Sequence, residues 1–398
     1  MKGIAAVPRG VWVLGLVSMC MDLSSELVHS LLPLYMATVL GASVFVIGII
    51  EGMAEALALV VKVFSGVISD VFRKRKPLVL LGYGLAAVSK FAFPLAPTLG
   101  WIVGARFADR LGKGIRGAPR DALIADITPA AARGRSFGLR QALDTVGAIG
   151  GPLLALGAMA WFAGNFHAAF WIAVVPAMLA VLLIVVGVDE PDRPPAPKPK
   201  PTTGLRVVDI RRLPRNYFFV VAIAGVLTLA RFSEAFLVLR AQNIGFSNAM
   251  APLVMVVMSV VYAATSYPAG AAADRGHGPR LLSVGLLALI AADVVLAHAE
   301  GRLMVLAGAT FWGLHMGLTQ GLLSALVAGA APADMRGTAF GVFNLVCGIA
   351  LLVASALAGW LWDAFGPRFT FYAGAAFTVI AWIGFLRYGR RASTLPPA

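Results

Sequence analysis

Apolar and polar positions in this chain are sorted into long blocks, with runs rich in Leu, Val, Ala, Phe and Gly separated by short stretches of Arg, Lys, Asp and Pro. A bilayer-spanning helix needs roughly 20 mostly apolar residues. Twelve runs reach that length, near 10–38, 44–69, 77–96, 99–123, 136–163, 166–188, 216–240, 246–272, 279–298, 301–328, 336–362 and 367–388. The pattern predicts an all-α membrane protein with twelve transmembrane helices. The one long interruption, from Asp189 to Pro214, is rich in Pro and charge, as an extended linker is. Residues 1–188 and 216–398 are therefore expected to be two six-helix bundles, and 189–215 a cytoplasmic connection.

The two halves repeat one another. Pro129, Arg133, Gly134, Phe137 and Gly138 return about half the chain later as Pro332, Arg336, Gly337, Phe340 and Gly341. Gly66 and Asp70 return as Gly270 and Asp274, and Ser25 and Glu26 as Ser233 and Glu234. Internal repetition on this scale marks a duplicated unit. In membranes, parallel halves around a central cavity are the architecture of secondary transporters that rock one bundle against the other.

Composition agrees, with 59% hydrophobic and 13% charged residues and a mean hydropathy of +0.84. Basic residues collect in the loops of one side, including Arg73, Lys74, Arg75 and Lys76, whereas Arg240, Arg302 and Arg368 lie on the other. Positive loops stay in the cytoplasm, so both termini are expected there, in a bacterial inner membrane. The net charge of +14 then expresses topology and attraction to anionic lipid, not nucleic-acid binding. Asp22 and Glu26 interrupt the first run, which is too long for a signal peptide and is read as a retained helix. Cys20 and Cys347 fall inside spans and imply no disulfide framework. No nucleophile elbow, zinc-protease motif or nucleotide-binding glycine loop stands in a fitting context, so neither an enzyme nor a cofactor is expected.

Charges inside spans each cost about 2.5 to 3.5 kcal/mol at the bilayer centre on insertion scales, which makes them the candidate working residues. At 100° per residue, Arg106, Asp109, Arg110, Lys113, Arg116 and Arg120 of span 4 share an arc of about 120°. Span 1 places Asp22, Ser25, Glu26 and His29 within about 100°, and span 2 places Glu51, Glu55 and Lys62 within about 40°. Such stripes face a polar cavity or a partner helix. They are read either as interhelical salt bridges, Glu51 or Glu55 against Arg106 or Arg110, or as a transport path. For proton loading the order of candidates is Asp22 and Glu26, then Glu55, then Asp144, whose neighbour Arg140 sits at i, i+4. A metal or metal chelate is a minor alternative as substrate, raised by the run Met19-Cys20-Met21-Asp22 with His29, of which Met19, Asp22 and His29 could share a face with Ser25 and Glu26.

The second half carries fewer charges in its spans. Arg231 and Glu234, spaced i, i+3, are expected to pair locally, and Asp293 and His315 stand alone. Proton handling is assigned to the first half. Substrate contacts are assigned to Glu51, Arg106, Lys113 and Arg140 there, and to Arg231, Glu234, Trp312, His315, Gln320 and Asn344 in the second half.

These residues resemble the major facilitator superfamily over nearly the whole chain. The loop from Gly66 through Asp70 to Arg73, Lys74 and Arg75 is similar to that family's motif A, departing at Val71 and Arg73. Its second copy keeps Gly270, Asp274 and Arg275. The resemblance implies that Asp70 faces the start of span 11 near Gly337 as a gate element, with Arg133 and Arg336 in the same motif set. Span 4 resembles motif B in Arg110, Gly114 and Gly117, with Lys113 where many drug exporters carry Gln; the Arg110 position is tied to proton coupling in that family. Gly147, Gly150, Gly151, Pro152 and Gly157 resemble the antiporter motif C, in which Gly and Pro bend the helix.

The resulting expectation is a proton-coupled exporter of a drug or of an anionic or zwitterionic metabolite, acting as a monomer. Proton-coupled uptake of a metabolite or metal chelate is the alternative. A sensor or scaffold without flux is the rival from another class.

Overall fold

A computed structural model describes residues 7–72, 74–129, 132–190, 212–332 and 335–392. Among them it holds helices and no strand. The helices are α1 (Arg9–Thr38), α2 (Val44–Phe72), α3 (Lys76–Ala92), α4 (Leu99–Ile127), α5 (Arg133–Trp161), α6 (Phe166–Gly187), α7 (Arg215–Ala230), α8 (Ala235–Asn243), α9 (Leu253–Ala272), α10 (Gly278–Ala297), α11 (Arg302–Ala330), α12 (Arg336–Phe365) and α13 (Pro367–Ala392). Eight segments among the described residues are long and apolar enough to cross a membrane, one of them running through both α9 and α10. Most of the expected linker, 191–211, lies outside the described residues.

Local chemistry sets the helix ends. Thr98 Oγ1 accepts the Trp101 N–H at 3.4 Å and Asn165 Oδ1 accepts the Ala168 N–H at 3.1 Å, capping α4 and α6. Between α9 and α10 a π-type turn, Ala273–His277, reverses the chain at Gly276, whose φ of 87° suits a residue without Cβ. Two expected spans differ in detail. The eighth begins at Leu253 and not at 246, because the preceding residues fold into turns in which Ser247 O accepts the Met250 and Ala251 N–H groups. The seventh is broken into α7 and α8. Arg231 leaves helical geometry (φ −104°, ψ 63°). The Ser233 N–H donates to Ser355 Oγ at 3.1 Å, and Ser233 Oγ accepts from Ala235 N at 3.3 Å. Side-chain bonds thus replace helix bonds at the break, and Arg231 and Glu234 do not share a helical face.

The chain forms two compact units, Met1–Met36 with Leu57–Gly204, and Ala37–Ala56 with Leu205–Ala398. The units therefore divide α2 between them, which the sequence pattern does not predict. In the first unit, Val17, Met21, Tyr83, Ala87, Ala177 and Ile184 form a core where α1, α3 and α6 meet. Small residues let backbones touch there. A Cβ on Gly82 would lie 2.8 Å from Gly112 O, and one on Gly114 would lie 2.9 Å from Ala58 O.

In the second unit, Tyr217, Val220, Val327, Met335 and Ala339 pack together, and the Tyr217 hydroxyl donates to Ala339 O at 2.6 Å. The first part of α2 packs on α12, where a Cβ on Gly48 would meet Ser355 O at 2.2 Å. Exposed apolar side chains such as Leu81, Val88, Val175, Val186 and Leu303 leave outward faces suited to lipid.

A polar seam in the first unit as candidate functional site

Polar side chains of α4 meet those of α1, α3 and α5 inside the first unit. At one level Lys90 of α3 reaches Asp109 Oδ1 at 2.6 Å and donates to Ser25 Oγ at 3.1 Å. Asp109 also has Arg110 at 3.4 Å and Arg106 at 3.9 Å. Arg106 in turn donates to His29 Nδ1 at 3.2 Å. Lys90, Arg106, Asp109 and Arg110 are all buried, at 2% exposure or less. Burial of charge is tolerated where it is paired, and here Asp109 lies within 4 Å of three cations.

Further along α4, Arg116 stands 3.9 Å from Asp22 of α1 and its guanidinium lies 4.5 Å from the centroid of the Tyr83 ring. Arg120 donates to Ser18 Oγ at 2.7 Å and to the Tyr83 hydroxyl at 3.4 Å, and pairs with Asp121 at 3.1 Å. Asp121 receives Arg140 of α5 at 3.0 Å, and Arg140 closes the run on Asp144 one turn on. The charged neighbours acting on Asp22 are Asp144, Arg116, Lys113 and Glu26.

The structure thus joins Asp22, Arg106, Arg110, Arg140 and Asp144 into one seam. Glu26 is half-buried on α1 and Lys113 is exposed. Glu51 is buried on the part of α2 that groups with the second unit, and Glu55 lies on that same part. Lys90, Tyr83 and Ser18 are not among the expected site residues. Lys90 stands alone among apolar residues of a short helix, so no stripe announces it; its charge inside a span is the only signal.

Gly147 and Gly151, expected to bend α5, also seat it against α1. Cβ atoms there would lie 2.7 Å from Met19 O and 2.5 Å from Glu26 Cβ. Pro152 is buried within the continuous helix α5. Trp312 and His315, expected in a cavity, are packed into the second unit: Trp312 sits on Phe232 at 5.4 Å between centroids, and His315 Nδ1 donates to Gly285 O at 2.8 Å. Gln320 and Asn344 are half-buried on α11 and α12. Among the gate positions, Lys74, Arg133, Gly270, Asp274, Arg275 and Gly337 are exposed at helix ends and turns, and a Cβ on Gly66 would lie 3.4 Å from that of Ala118. Arg73 and the side chains of Asp70 and Arg336 lie outside the described residues, as does the expected pairing of Asp70 with the Gly337 region.

The sequence profile of the Major Facilitator Superfamily matches residues 14–240 and 220–397. An uncharacterised MFS-type transporter of Methanocaldococcus jannaschii is 31% identical over 94% of this chain and 93% of its own. The inner membrane transport protein YajR of Escherichia coli is 24% identical over 94% of this chain and 81% of its own. The nucleoside transporter NupG superposes with a TM-score of 0.76 over 96% of this chain and 100% of its own, at 14% identity, a likeness of fold.

Proposed function

Since this chain belongs to the major facilitator superfamily, we propose that it is a proton-coupled exporter of a small molecule, a drug or an anionic or zwitterionic metabolite, working by alternating access. The observation that carries the proton coupling is the Asp22–Arg116 pair. Its 3.9 Å separation is long for an ion pair, Asp22 is 28% exposed, and Arg116 already leans on the Tyr83 ring. A proton arriving on Asp22 cancels the attraction, and cation–π contact retains the arginine. Loss of the proton restores the pair. Asp22 lies on α1 and Arg116 on α4, so each exchange changes what holds two helices together, which is the kind of two-state element that coupling requires.

Glu26, Asp144, Glu55 and Arg110 are the remaining members of the proposed proton path. Arg106, Lys113, Arg140 and Glu51 are proposed as substrate contacts, with Arg231, Glu234, Gln320 and Asn344 contributing from the second half. Export is favoured over uptake by the Gly and Pro residues of α5, which resemble the antiporter motif. Both termini are placed in the cytoplasm of a bacterial inner membrane by the positive loops, and one copy of the chain is taken as the working unit.

The test is reconstitution into vesicles carrying an internal pH dye, with ethidium as a lipophilic cation, tetracycline as a zwitterion and carboxyfluorescein as an anion. One of these is expected to dissipate an imposed pH gradient through the wild-type protein, and D22N to abolish that proton movement while keeping the probe's stabilisation of the folded protein. Probe flux with no accompanying proton movement in the wild type would overturn the coupling. Cells making the protein are expected to accumulate less of the transported probe; greater accumulation would reverse the direction to uptake.

A further inference from the structure

One carboxyl group of the second unit lies outside the seam. Asp293, on α10, has no exposed surface, and neither of its oxygens has a hydrogen-bond partner among the described residues. Gly374 of α13 lies directly against it: a Cβ at that glycine would stand 2.7 Å from Asp293 Oδ2 and 3.1 Å from Phe232 Cε1. Phe232 belongs to the unwound stretch between α7 and α8 and packs against Phe236, Trp312 and Phe371, with centroids 5.2, 5.4 and 5.7 Å away. The acid therefore lies against bare backbone and beside the Phe232 ring, which is itself held in an aromatic cluster.

The titratable groups on the surrounding elements do not neutralise it: Arg240 of α8, at the end of α10, is taken up by the carbonyls of Leu296, Ala297 and Ala299 and by Asn243. His315 of α11 is bonded to Gly285 O, two turns of α10 away. Arg368 of α13 pairs with Glu300 at 3.6 Å, both exposed. Asp274, Arg275 and His277 are exposed on the turn before α10. Arg231 and Glu234 flank Phe232 in the unwound stretch, and the charges acting on Arg231 include Glu234 and not Asp293. A divalent cation would need several oxygen ligands, which these aromatic side chains do not provide. An ionised carboxylate without cation or donor is among the costliest groups to bury, and a proton is the one ligand that removes its charge without needing room.

We propose that Asp293 is a proton-binding site of the second unit, closed while Phe232 covers it and opened when the Arg231–Glu234 segment moves. The stretch has the anatomy for this movement, since it leaves the helical path at Arg231, keeps only short turn bonds such as Arg231 N–H to Thr228 O, and is tied to α12 through the Ser233–Ser355 contact. The inference deepens the proton-coupled reading above and rests on it. It also departs from the sequence-based assignment of proton handling to the first half alone.

Infrared spectroscopy of the whole protein in lipid vesicles tests it through the carbonyl band of a protonated carboxylic acid. D293N is the isostere of the neutral acid and is expected to fold normally, which its melting curve checks. The wild type is expected to show the band at neutral pH, to shift it in heavy water and to lose it at alkaline pH. D293N is expected to lack the band and D22N to keep it. F232A, by uncovering the acid, is expected to speed the heavy-water shift several-fold. A band unchanged in D293N, or one that neither titrates nor exchanges in the folded wild type, overturns the proton site. Exchange in F232A no faster than in the wild type overturns the gate. Failure of the coupled reading is seen separately, as wild-type vesicles that move the probe but no protons.

Discussion

Lys90 of α3 and Asp109 of α4 meet at 2.6 Å with side chains 0% and 2% exposed, and Asp109 is at the same time within 4 Å of Arg106 and Arg110. The pair is asymmetric. Lys90 has one carboxylate, while Asp109 has three cations. Removing one partner of a buried pair costs about 3 to 5 kcal/mol, and D109N is expected to reach that range. K90M is expected to cost clearly less, since Asp109 keeps two arginines. Melting of the two purified variants in detergent checks the order; equal losses would show that the arginines do not share the carboxylate's stabilisation.

Gly151 seats α1 against α5, with Leu27 N 2.9 Å and Leu23 O 3.0 Å from where a Cβ would stand. Backbone on both sides cannot step aside as a flexible side chain would. G151A is expected to destabilise by about 1 to 3 kcal/mol, as overpacking does. Gly157, with nothing within 4 Å of its Cβ position, provides the control: G157A is expected to be neutral or slightly stabilising, since alanine favours helix. A thermal-shift comparison of the two variants decides it.

Asp363, near the end of α12, caps the start of α2, accepting the Val44 N–H at 3.2 Å and the Phe45 N–H at 2.8 Å. A carboxylate there satisfies free N–H groups and complements the helix dipole. D363A is expected to cost about 1 kcal/mol and D363N less, because an amide oxygen still accepts. Hydrogen exchange at the amides of 44 and 45 should quicken in D363A; protection equal to the wild type's would mean that other groups cap the helix.

Arg240 gathers the end of α10, donating to Leu296 O at 3.0 Å, Ala297 O at 3.4 Å and Ala299 O at 2.9 Å, and to Asn243 Oδ1 at 2.6 Å. This is fork geometry that an ammonium cannot reproduce. R240K is therefore expected to lose most of what R240A loses, on the order of 1 to 3 kcal/mol, and melting curves of both should nearly coincide. Full rescue by lysine would reduce Arg240 to a point charge.

The candidate site was legible where charges repeat on one helix face. Of the span 4 stripe, Arg106, Asp109, Arg110 and Arg116 are buried, Arg120 is half-buried and Lys113 exposed, and the i, i+4 spacing predicts the Arg140–Asp144 pair that the structure contains. Lys90 was illegible as a partner, because which helix lies beside α4 is a matter of packing. Arg231 and Glu234 do act on one another, as their spacing predicts, but not on one helix: the chain unwinds between them, where Ser355, more than a hundred residues away, bonds the Ser233 N–H.

What the sequence by itself determined is the solvent and the repeat: apolar runs of this length are stable only where each helix satisfies its own backbone within lipid, and a duplicated chain folds each copy by the same rule. Those are properties of single segments, and the order of helices follows from them, apart from helix ends and the break in the seventh span. Only the tertiary structure decided that one carboxylate serves three cations, that Gly147 and Gly151 seat a helix, and that Asp293 is closed off by Phe232 and Gly374. Pairing, close approach and burial belong to side chains brought together from distant parts of the chain, and their energies depend on distances that no single segment carries.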